Sequence, residues 1–396
     1  MQKRYCFLSN YLTHHQLPFC LEMMKLTDGC FTFVETDELP QERKNMGYAT
    51  LGDQYDFVIH ACRSKTERKQ ALQLAYDADV VIIGSAPDTY IRKRLKANKL
   101  TFRYSERIFK RGLHDVLRLA KYTAKTLPYR NKNLYYMLSS AYAAHDYYCC
   151  GAKVEKLFKW GYFPATRTYE NIEDVLQKKA PNTLLWTARL IDWKHPEVPV
   201  QIAARLKKEG YDFHLNMIGV GPMEQEILRI IEKENLQEQV QLLGAMSPER
   251  VREEMEKHQI FLFTSDYNEG WGAVLNEAMN SGCAVVASHA CGSVPFMVKS
   301  GENGYIYRSG DVEQLFELTK SLLEDPELCT SVGKHAISSV DQVWNAACAA
   351  KRLVDLCDDF RPNIQLSALV QTGVMSAAQP IPQVDMYLYT LGNAGS

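Results

Sequence analysis

The sequence predicts an α/β protein of two domains, each with a parallel sheet flanked by helices. Its 396 residues exceed the roughly 250 to 300 at which a single hydrophobic core stops growing, so two cores are expected. In both halves, short apolar runs of strand length alternate with amphipathic segments of helical length, which is the pattern of parallel sheets. Two such sheets predict a cleft between the domains, with ligands beyond the carboxyl ends of the strands.

The strand-length runs are short and rich in β-branched and aromatic residues. In the N-terminal half they lie at residues 5–8, 57–60, 80–84 and 100–104, with a helical stretch at 66–78. In the C-terminal half they lie at 183–186, 213–218, 240–243, 260–263 and 284–287, separated by helical segments at 198–208, 223–234, 248–257 and 272–281. Pro248, at the start of the third segment, suits the first position of a helix.

The domain boundary is expected where the aromatic stretch KWGYFPAT, residues 159–166, gives way to a charged segment and a new strand. We therefore predict domains at residues 1–170 and 171–340, followed by a helix at 341–361 with Trp344 and Asn345 near its start. Residues 362–396 contain one acidic residue and no lysine or arginine. We interpret them as a peripheral tail.

Composition argues against several protein classes. Apolar residues make up 46%, charged residues 23%, and the net charge is -1, as in ordinary globular proteins, so global charge points to no partner. No run of about 18 uncharged apolar residues occurs, and the first residues lack the features of a signal peptide. The eleven cysteines show neither CxxC nor metal-ligand spacing. We expect reduced thiols, no metal site and a cytoplasmic protein.

Two glutamates follow the run at 260–263. Glu269 and Glu277 flank seven residues of a predicted strand-to-helix turn, in the sequence EGWGAVLNE. Gly270 and Gly272 let backbone approach a ligand closely, and the free amides at a helix start favour an anionic oxygen such as that of a phosphate. Carboxylates beside a phosphate can accept hydrogen bonds from sugar hydroxyls. The combination indicates a nucleotide sugar, although the glutamates alone fit exposed helix residues equally well.

Two further loops follow strand-length runs. Arg189 and Lys194, in TARLIDWK, put two cations after the run at 183–186, where they could neutralise a leaving diphosphate. In isolation the two cations fit a solvated loop. Gly219 and Gly221, in MIGVGP, follow the run at 213–218, although tight turns account for most such glycine pairs.

The order of these motifs, over residues 182–323, resembles the donor domain of retaining glycosyltransferase family 4, the group 1 glycosyltransferases. The family's motif of two glutamates separated by seven residues appears as EGWGAVLNE, its arginine and lysine loop as ARLIDWK and its glycine turn as IGVGP. A strand end like QLLGAMS and a later stretch like SGENGYIYRSGDVEQL complete the match. The resemblance implies the GT-B architecture, in which two Rossmann-like domains face each other across a cleft.

The resemblance also implies roles for single residues. Glu277 would accept hydrogen bonds from the ribose hydroxyls, and Glu269 from hydroxyls of the donor sugar. The diphosphate would be held by Arg189, Lys194 and the amides of Gly270, Trp271, Gly272 and Ala273, with Gly219 and Gly221 in the neighbouring turn and Gly244 and Ala245 against the base. Transfer would retain the anomeric configuration without metal or cofactor. UDP, the commonest nucleotide in the family, is the expected carrier.

The helix at 341–361 resembles the family's terminal helix, which crosses back to the N-terminal domain, and a plain surface helix fits its residues equally well. The N-terminal half departs from the family pattern. Its first loop, where paired glycines are usual, contains His14 and His15, which fit either an acceptor pocket or satisfied polar loop residues.

Many relatives carry a histidine after a middle strand of the N-terminal domain. Here the aligned strand ends FRYSER, and we expect Arg103 and Glu106 to help position acceptor or donor. Phe296 stands where the family commonly has a glutamate. Donor-sugar contacts at that position are therefore not carried over.

Residues 92–132 carry fourteen lysines and arginines against two acids, with apolar residues between them. A basic amphipathic surface is typical of proteins that contact anionic lipid, and it suggests acceptors carried on lipid at the inner face of the membrane. A solvated basic face fits the same residues. Nucleic acid is a third interpretation, which no nucleic-acid motif supports.

The leading hypothesis is a retaining hexosyltransferase that moves a sugar from a nucleoside diphosphate to a glycan or lipid-linked glycan in cell-surface polysaccharide biosynthesis. Two alternatives stay open. One is a sugar-nucleotide epimerase or hydrolase on the same scaffold, which needs no acceptor, and the other is a catalytically silent scaffold protein that binds the sugar nucleotide. Donor turnover with and without acceptor separates the three.

Overall fold

The computed structural model describes residues 2–41, 50–110, 112–113, 115–361 and 370–392. Contacts between Cα atoms divide the chain into two compact units. The first unit comprises residues 1–165 and 345–380, and the second unit comprises residues 166–344 and 381–396. Each unit is built around one sheet.

The strands of the first unit are β1 (Tyr5–Ser9), β2 (Phe31–Glu35), β3 (Val58–His60), β4 (Val80–Ile83), β5 (Thr101–Ser105), β6 (Leu134–Leu138) and β7 (Leu157–Lys159). They form a sheet in the order β3-β2-β1-β4-β5-β6-β7. Every neighbouring pair in this sheet is parallel.

The strands of the second unit are β8 (Ala180–Thr187), β9 (His214–Ile218), β10 (Val240–Gly244), β11 (His258–Phe263), β12 (Ala284–Ser288) and β13 (Tyr305–Tyr307). Their order is β10-β9-β8-β11-β12-β13, again with parallel neighbours throughout. Two parallel sheets confirm the predicted α/β class.

The α-helices of the described residues connect and cover these strands. In chain order they are α1 (Leu17–Leu26), α2 (Lys65–Asp77), α3 (Arg92–Lys96), α4 (Val116–Thr126), α5 (Ala141–Cys149), α6 (Ile172–Gln177), α7 (Glu197–Lys208), α8 (Glu224–Lys233), α9 (Pro248–Lys257), α10 (Ala273–Asn280), α11 (Val294–Met297), α12 (Val312–Glu324), α13 (Pro326–Gln342), α14 (Ala346–Asp358) and α15 (Met386–Gly392).

The apolar runs could be recognised as strands because the central strands are buried on both faces of each sheet. All residues of β1 and β4 are buried, and so are all five of β12, as expected for strands covered by helices on both faces. In the second unit the core joins residues of β8, β9 and β11 to apolar faces of α7, α8 and α12. Burial on both faces makes each strand a continuous apolar run rather than an alternating one.

Helix starts follow capping chemistry. The hydroxyl of Ser247 accepts a hydrogen bond from the backbone N–H of Arg250, and Pro248 occupies the first turn of α9 as its sequence suggests. Residues 341–361, expected as one helix, are divided between two: α13 ends at Gln342, and α14 starts after Asn345, whose side chain caps the Cys348 N–H. A cap of this kind starts a new helix.

The helix α14 belongs to the first unit, where it packs on α1. The segment predicted as a peripheral tail lies partly outside the described residues. Its described part is divided, because residues 370–380 join the first unit and 381–392 join the second. In the second unit the hydroxyl of Tyr387 accepts a hydrogen bond from the Gln314 side chain at 2.6 Å.

Candidate functional site

Four neighbouring strands of the second unit end at one edge of the sheet, and their loops carry the residues singled out in the sequence. The strands are β10, β9, β8 and β11, which are adjacent in that order and all parallel. Gly244 ends β10, Gly219 follows β9, Arg189 follows β8 and Glu269 follows β11. The topology therefore collects residues far apart in sequence at the edge where α/β proteins bind ligands.

The turn after β9 lies directly against the loop after β8. A Cβ atom on Gly219, whose φ is +138°, would lie 1.9 Å from the carbonyl oxygen of Ala188, and one on Gly221 would lie 2.3 Å from that of Leu190. The backbone N–H of Leu190 donates to the carbonyl of Val220 at 3.0 Å. Both glycines are therefore required by backbone contact between the two loops.

Gly244 differs from these two glycines. Its φ is +68°, but no atom lies within 4 Å of the position a Cβ would take. Its carbonyl accepts a hydrogen bond from the Gly219 N–H at 2.8 Å, and Ala245 beside it is exposed. The end of β10 thus combines a fixed backbone with open space beside it, where a flat ring could lie.

The loop after β11 ends in a glycine that starts α10. Gly272 has a φ of +82°, and a Cβ there would lie 2.4 Å from Cζ of Phe263. In the part of the chain that the structure describes, the backbone N–H groups of residues 270–274 donate to no protein acceptor. Consecutive free amides at the start of a helix form an anion site, because the helix dipole adds to their donors.

Trp271 lies between Gly270 and Gly272, and its side chain is part of the interior of the second unit. It is buried, its indole N–H donates to Asn276 Oδ1 at 2.9 Å, and its ring centroid is 6.0 Å from that of Trp344. Phe296 stacks on Trp344 with centroids 6.2 Å apart. This aromatic cluster leaves only the backbone of Trp271 for a ligand.

Lys194 and Glu269, 75 residues apart in sequence, form an ion pair and hydrogen bond. Both side chains are nearly buried, with 12% and 11% of their surface exposed. The Lys194 ammonium also lies 4.4 Å from the ring centroid of Trp193. The cation and the carboxylate predicted for the site therefore face each other, and each fixes the position of the other.

Arg189 and His195 lie on either side of Lys194 in sequence. Arg189 is exposed, with its guanidinium 5.9 Å from the ring centroid of Trp193. His195 has a φ of +50° and lies 3.0 Å from Glu197 and 3.5 Å from Asp266. The hydrogen bond to Glu197 raises the pKa of His195. His195 was not singled out in the sequence, where nothing but its place beside Lys194 marks it.

Glu277 lies on α10, one helix turn beyond the free amides. Burial raises the pKa of its carboxyl group, and the charge of Arg252 opposes that shift. Within the described ranges, no protein group donates a hydrogen bond to the side-chain carboxyl group of Glu277, whose backbone carbonyl accepts the Ser281 N–H at 3.0 Å. Arg252 is a buried residue of α9 that no sequence motif singled out, and its guanidinium donates a 2.5 Å hydrogen bond to Asn280. A half-buried carboxylate with open acceptor positions is suited to bind hydroxyl groups.

In the first unit, His15 and Glu106 are joined by a residue absent from the sequence predictions. The hydroxyl of Tyr162 donates to Glu106, and the Tyr162 ring stacks on His15 with an interplanar angle of 7° and centroids 5.6 Å apart. Lys110 lies 3.3 Å from Glu106. His14 adjoins His15, with ring centroids 3.8 Å apart. We call His14, His15, Tyr162 and Glu106 the histidine cluster.

Burial lowers the pKa of His15 to about 3, and the neighbouring His14 adds to the effect. His15 is therefore neutral at physiological pH, and its buried Nδ1 has no hydrogen-bond partner among the described residues. Burial also lowers the pKa of His14. Neither ring supplies a positive charge at pH 7.

Arg103 does not join the histidine cluster. Its guanidinium pairs with Asp88 at 2.7 Å, and Asp88 also pairs with Lys125 at 2.8 Å. These two cations hold the pKa of Asp88 below its usual value against the opposing effect of burial. The structure thus separates Arg103 from Glu106, although they are only three residues apart.

The described residues contain neither a helix suited to span a membrane nor a group of side chains suited to hold a metal ion. None of their helices has both the length and the apolar character needed to cross a membrane. Their His, Cys, Asp and Glu side chains form no group of three or more that could hold a metal ion.

Comparison with known proteins gives matches for most of the second unit. Residues 168–339 match the family model described as Glycosyl transferases group 1. The amylovoran biosynthesis glycosyltransferase AmsK of Erwinia amylovora is 26% identical over 183 residues, which cover 45% of this chain and 45% of that protein. The chain thus spans less than half the length of the curated relatives it matches.

A second relative is the N-acetylgalactosamine-N,N'-diacetylbacillosaminyl-diphospho-undecaprenol 4-alpha-N-acetylgalactosaminyltransferase of Campylobacter jejuni, 30% identical over 158 residues, or 40% of this chain and 41% of that protein. Among solved structures, Alr3699/HepE of Anabaena, in complex with UDP, has a TM-score of 0.67 at 16% identity and covers 90% of this chain and 100% of that chain. This likeness concerns the fold, which is the GT-B fold with its two Rossmann-like domains.

Proposed function

From the premise that residues 168–339 belong to the group 1 glycosyl transferases, we propose that the protein is a retaining glycosyltransferase that uses a nucleoside-diphosphate sugar. The observation that carries the proposal is the single sheet edge of the second unit, where free amides, two cations and two carboxylates follow neighbouring strands. Each group suits a different part of a sugar nucleotide.

The diphosphate binds at the start of α10. The free amides of residues 270–274 hold its oxygens, with Arg189 and Lys194 supplying positive charge from the loop after β8. Glu277 accepts hydrogen bonds from the ribose hydroxyls, since no protein group among the described residues donates to its carboxylate. The base lies in the open space beside Gly244 and Ala245.

Glu269 faces the donor sugar and stays oriented by Lys194. When the bond between the anomeric carbon and the diphosphate breaks, negative charge develops on the leaving oxygen. Lys194, Arg189 and the amides before α10 stabilise that charge, and such pre-organised donors contribute most to the rate of group transfer. The acceptor hydroxyl oxygen bonds the anomeric carbon on the face that the diphosphate leaves, which retains the configuration, and its proton passes to the departing phosphate oxygen. The two cations supply the positive charge that a metal ion would otherwise give.

UDP is the proposed nucleotide, supported by the name of the solved Alr3699/HepE complex, which contains UDP. The proposed acceptor is a glycan carried on a lipid, in the synthesis of a cell-surface polysaccharide. The name of the Campylobacter jejuni relative includes a diphospho-undecaprenol carrier, and that of AmsK includes amylovoran biosynthesis. A lipid-linked acceptor would have the enzyme working in the cytoplasm at the inner face of the membrane.

We assign the acceptor to the first unit, where the histidine cluster lies beyond the carboxyl ends of β1 and β5. The neutral His15 ring and the Glu106 carboxylate can hydrogen-bond a sugar hydroxyl without adding positive charge. Arg103, paired with Asp88, has a structural role.

The test is transfer of labelled sugar from a panel of UDP-sugars to a bacterial lipid extract, measured in the organic phase, with the linkage configuration determined by NMR. An active donor should label the lipid with the α or β configuration of the donor retained. The Glu269→Gln variant should lose transfer. UDP release at the same rate without lipid would indicate a hydrolase, and conversion into a second UDP-sugar an epimerase.

A further inference from the structure

We propose that α4 of the first unit docks on an anionic lipid bilayer, inserting its exposed aliphatic side chains between the lipids. We call the surface formed by Val116, Leu117, Ala120, Ala124 and Leu127 the α4 face. The proposal concerns where the protein binds, so it stands independently of the glycosyl transfer proposed for the second unit.

The α4 face is apolar and open to solvent. Leu117 is 85% exposed, Val116 72% and Leu127 50%. Single exposed aliphatic residues are common on soluble proteins, but two on one short helix and a third directly after it, with two exposed alanines between them, form a continuous apolar patch. Val116, Leu127 and the two alanines line an open depression of about 580 Å³ together with Leu119, Thr123 and Pro128, and Leu117 stands beside it.

The apolar side of α4 faces solvent, whereas the apolar side of a surface helix usually faces the core. In α7 the apolar residues Val200, Ile202 and Leu206 are buried and the charges lie outside. In α4 the single buried residue is Thr126, and Tyr122 approaches the body of the unit with its ring centroid 6.4 Å from that of Phe109. The helix therefore lies on the surface with its apolar side outward.

Cations lie along one border of the apolar patch. At 100° per residue, Lys121, Lys125 and Arg118 follow one another next to Leu117, on a strip of the helix that contains no acidic residue. Lys125 also pairs with Asp88, which lies outside the helix, so Lys121 and Arg118 supply most of the charge at this border. Asp115 lies at the N-terminal cap, where its carboxylate accepts the Arg118 N–H at 2.8 Å. Arg130 and Lys132 continue the positive charge beyond the helix.

An aliphatic face bordered by lysine and arginine matches the chemistry of a bilayer surface that contains acidic lipids. The aliphatic side chains reach the acyl boundary while the cations stay level with the headgroup phosphates. A second copy of the chain would bring like charges together at the same border. Nucleic acid would gain nothing from exposed leucine and valine, since its recognition uses stacking and phosphate contacts.

The test is sedimentation of the full chain with vesicles of phosphatidylcholine and phosphatidylglycerol at a ratio of 3:1, and with pure phosphatidylcholine vesicles. Binding to the acidic vesicles is expected, and it should weaken as salt is raised. Leu117→Gln is expected to weaken binding about tenfold or more, and Lys121→Gln about fivefold. Because both positions are exposed, neither variant should change the circular dichroism spectrum.

Leu72→Gln and Lys69→Gln are matched controls on α2, another exposed helix of the first unit, and they should bind like the wild type. The proposal is overturned if the folded protein does not bind acidic vesicles, or if α4 and α2 variants behave alike. It is also overturned if sedimentation equilibrium shows a dimer that Leu117→Gln dissociates, since the α4 face would then be covered by a second copy.

Discussion

The histidine cluster of the first unit is made of side chains, whereas the loop edge of the second unit depends on backbone groups. By the loop edge we mean the loops that follow β8, β9, β10 and β11. At the loop edge, the backbone provides most of the proposed ligand contacts. Gly219 and Gly272 adopt positive φ, and free amides lie at the start of α10. The histidine cluster consists of side chains from separate loops, with Tyr162 and Glu106 56 residues apart. A backbone site requires particular residues at fixed local spacing, whereas a side-chain site can be assembled in many ways.

The comparison predicts that changes at the loop edge affect every donor reaction, while changes in the histidine cluster affect only the acceptor. The largest effect is expected at Lys194. Lys194→Ala should lower kcat about 100- to 1000-fold, the range seen on removing one group that stabilises transition-state charge. Lys208→Ala, at the exposed end of α7, is the control for loss of a lysine and should keep wild-type turnover.

Lys194→Ala also leaves the nearly buried carboxylate of Glu269 without its cation, which can cost about 3 to 5 kcal/mol of stability. The double variant Lys194→Ala with Glu269→Gln separates the two effects. It should recover stability in urea unfolding but not turnover. Recovery of turnover would mean that Lys194 acts only by balancing Glu269.

The second prediction compares Gly219, which follows β9, with Gly244, which ends the neighbouring strand β10. Both have positive φ, so alanine at either costs about 1 to 2 kcal/mol in backbone strain. Gly219→Ala should cost about 1 to 3 kcal/mol more, because its Cβ would collide with the Ala188 carbonyl while that of Gly244 meets open space. Urea unfolding of both variants measures the difference. Equal costs would contradict the close contact of the two loops.

The third prediction uses Glu277. Because burial raises its pKa, the folded state holds the proton more tightly than the unfolded chain, so this group stabilises the fold at low pH. That contribution is lost as pH rises through the raised folded pKa. Glu277→Gln should therefore be at least as stable as the wild type at pH 7 and show a smaller loss of stability between pH 4 and neutrality.

The same variant should bind UDP about 10- to 100-fold more weakly, since hydrogen bonds to a charged acceptor contribute about 1.5 to 3 kcal/mol. Calorimetric titration with UDP and urea unfolding at several pH values measure the two properties on one protein. A variant that loses stability and keeps UDP affinity would give Glu277 a structural role instead.

The smallest effect is expected in the histidine cluster. Glu106→Gln keeps the shape of the side chain but weakens its hydrogen bond with Tyr162, so the KM for acceptor should rise a few-fold, by about 1 kcal/mol. UDP affinity should stay unchanged. Glu155→Gln, another glutamate of the first unit in a surface ion pair, is the control. Unchanged acceptor kinetics would remove Glu106 from the acceptor site.

Much of the fold was readable because the central strands are buried on both faces. The run at 80–84 corresponds to β4 and that at 284–287 to β12, within about a residue at each end. The three-residue strands β7 and β13 were not predicted, whereas β3, equally short, lies in the predicted run at 57–60. The aromatic strands β2 and β6 also escaped prediction, although all or nearly all of their residues are buried.

The sequence predicted those parts of the candidate site that are formed by residues close together in the chain. Glycines between the two glutamates indicated an anion site at a helix start, but the sequence could not show that Trp271 packs against Trp344. Nor could it show that Lys194 pairs with Glu269, because that contact depends on β8 and β11 being neighbours in the sheet. Arg103 and Glu106 illustrate the same limit, since they are only three residues apart at the end of β5 but contact different partners, Asp88 and Tyr162.

The central claim is that the loop edge of the second unit binds the nucleotide. Hydrogen exchange of backbone amides with and without saturating UDP tests it most directly, because the free amides of residues 270–274 are the proposed ligands. The account predicts slower exchange in peptides that cover 270–277 and 188–195, with little change in the histidine cluster. Protection confined to the first unit, or none at a UDP concentration shown to bind, would contradict it.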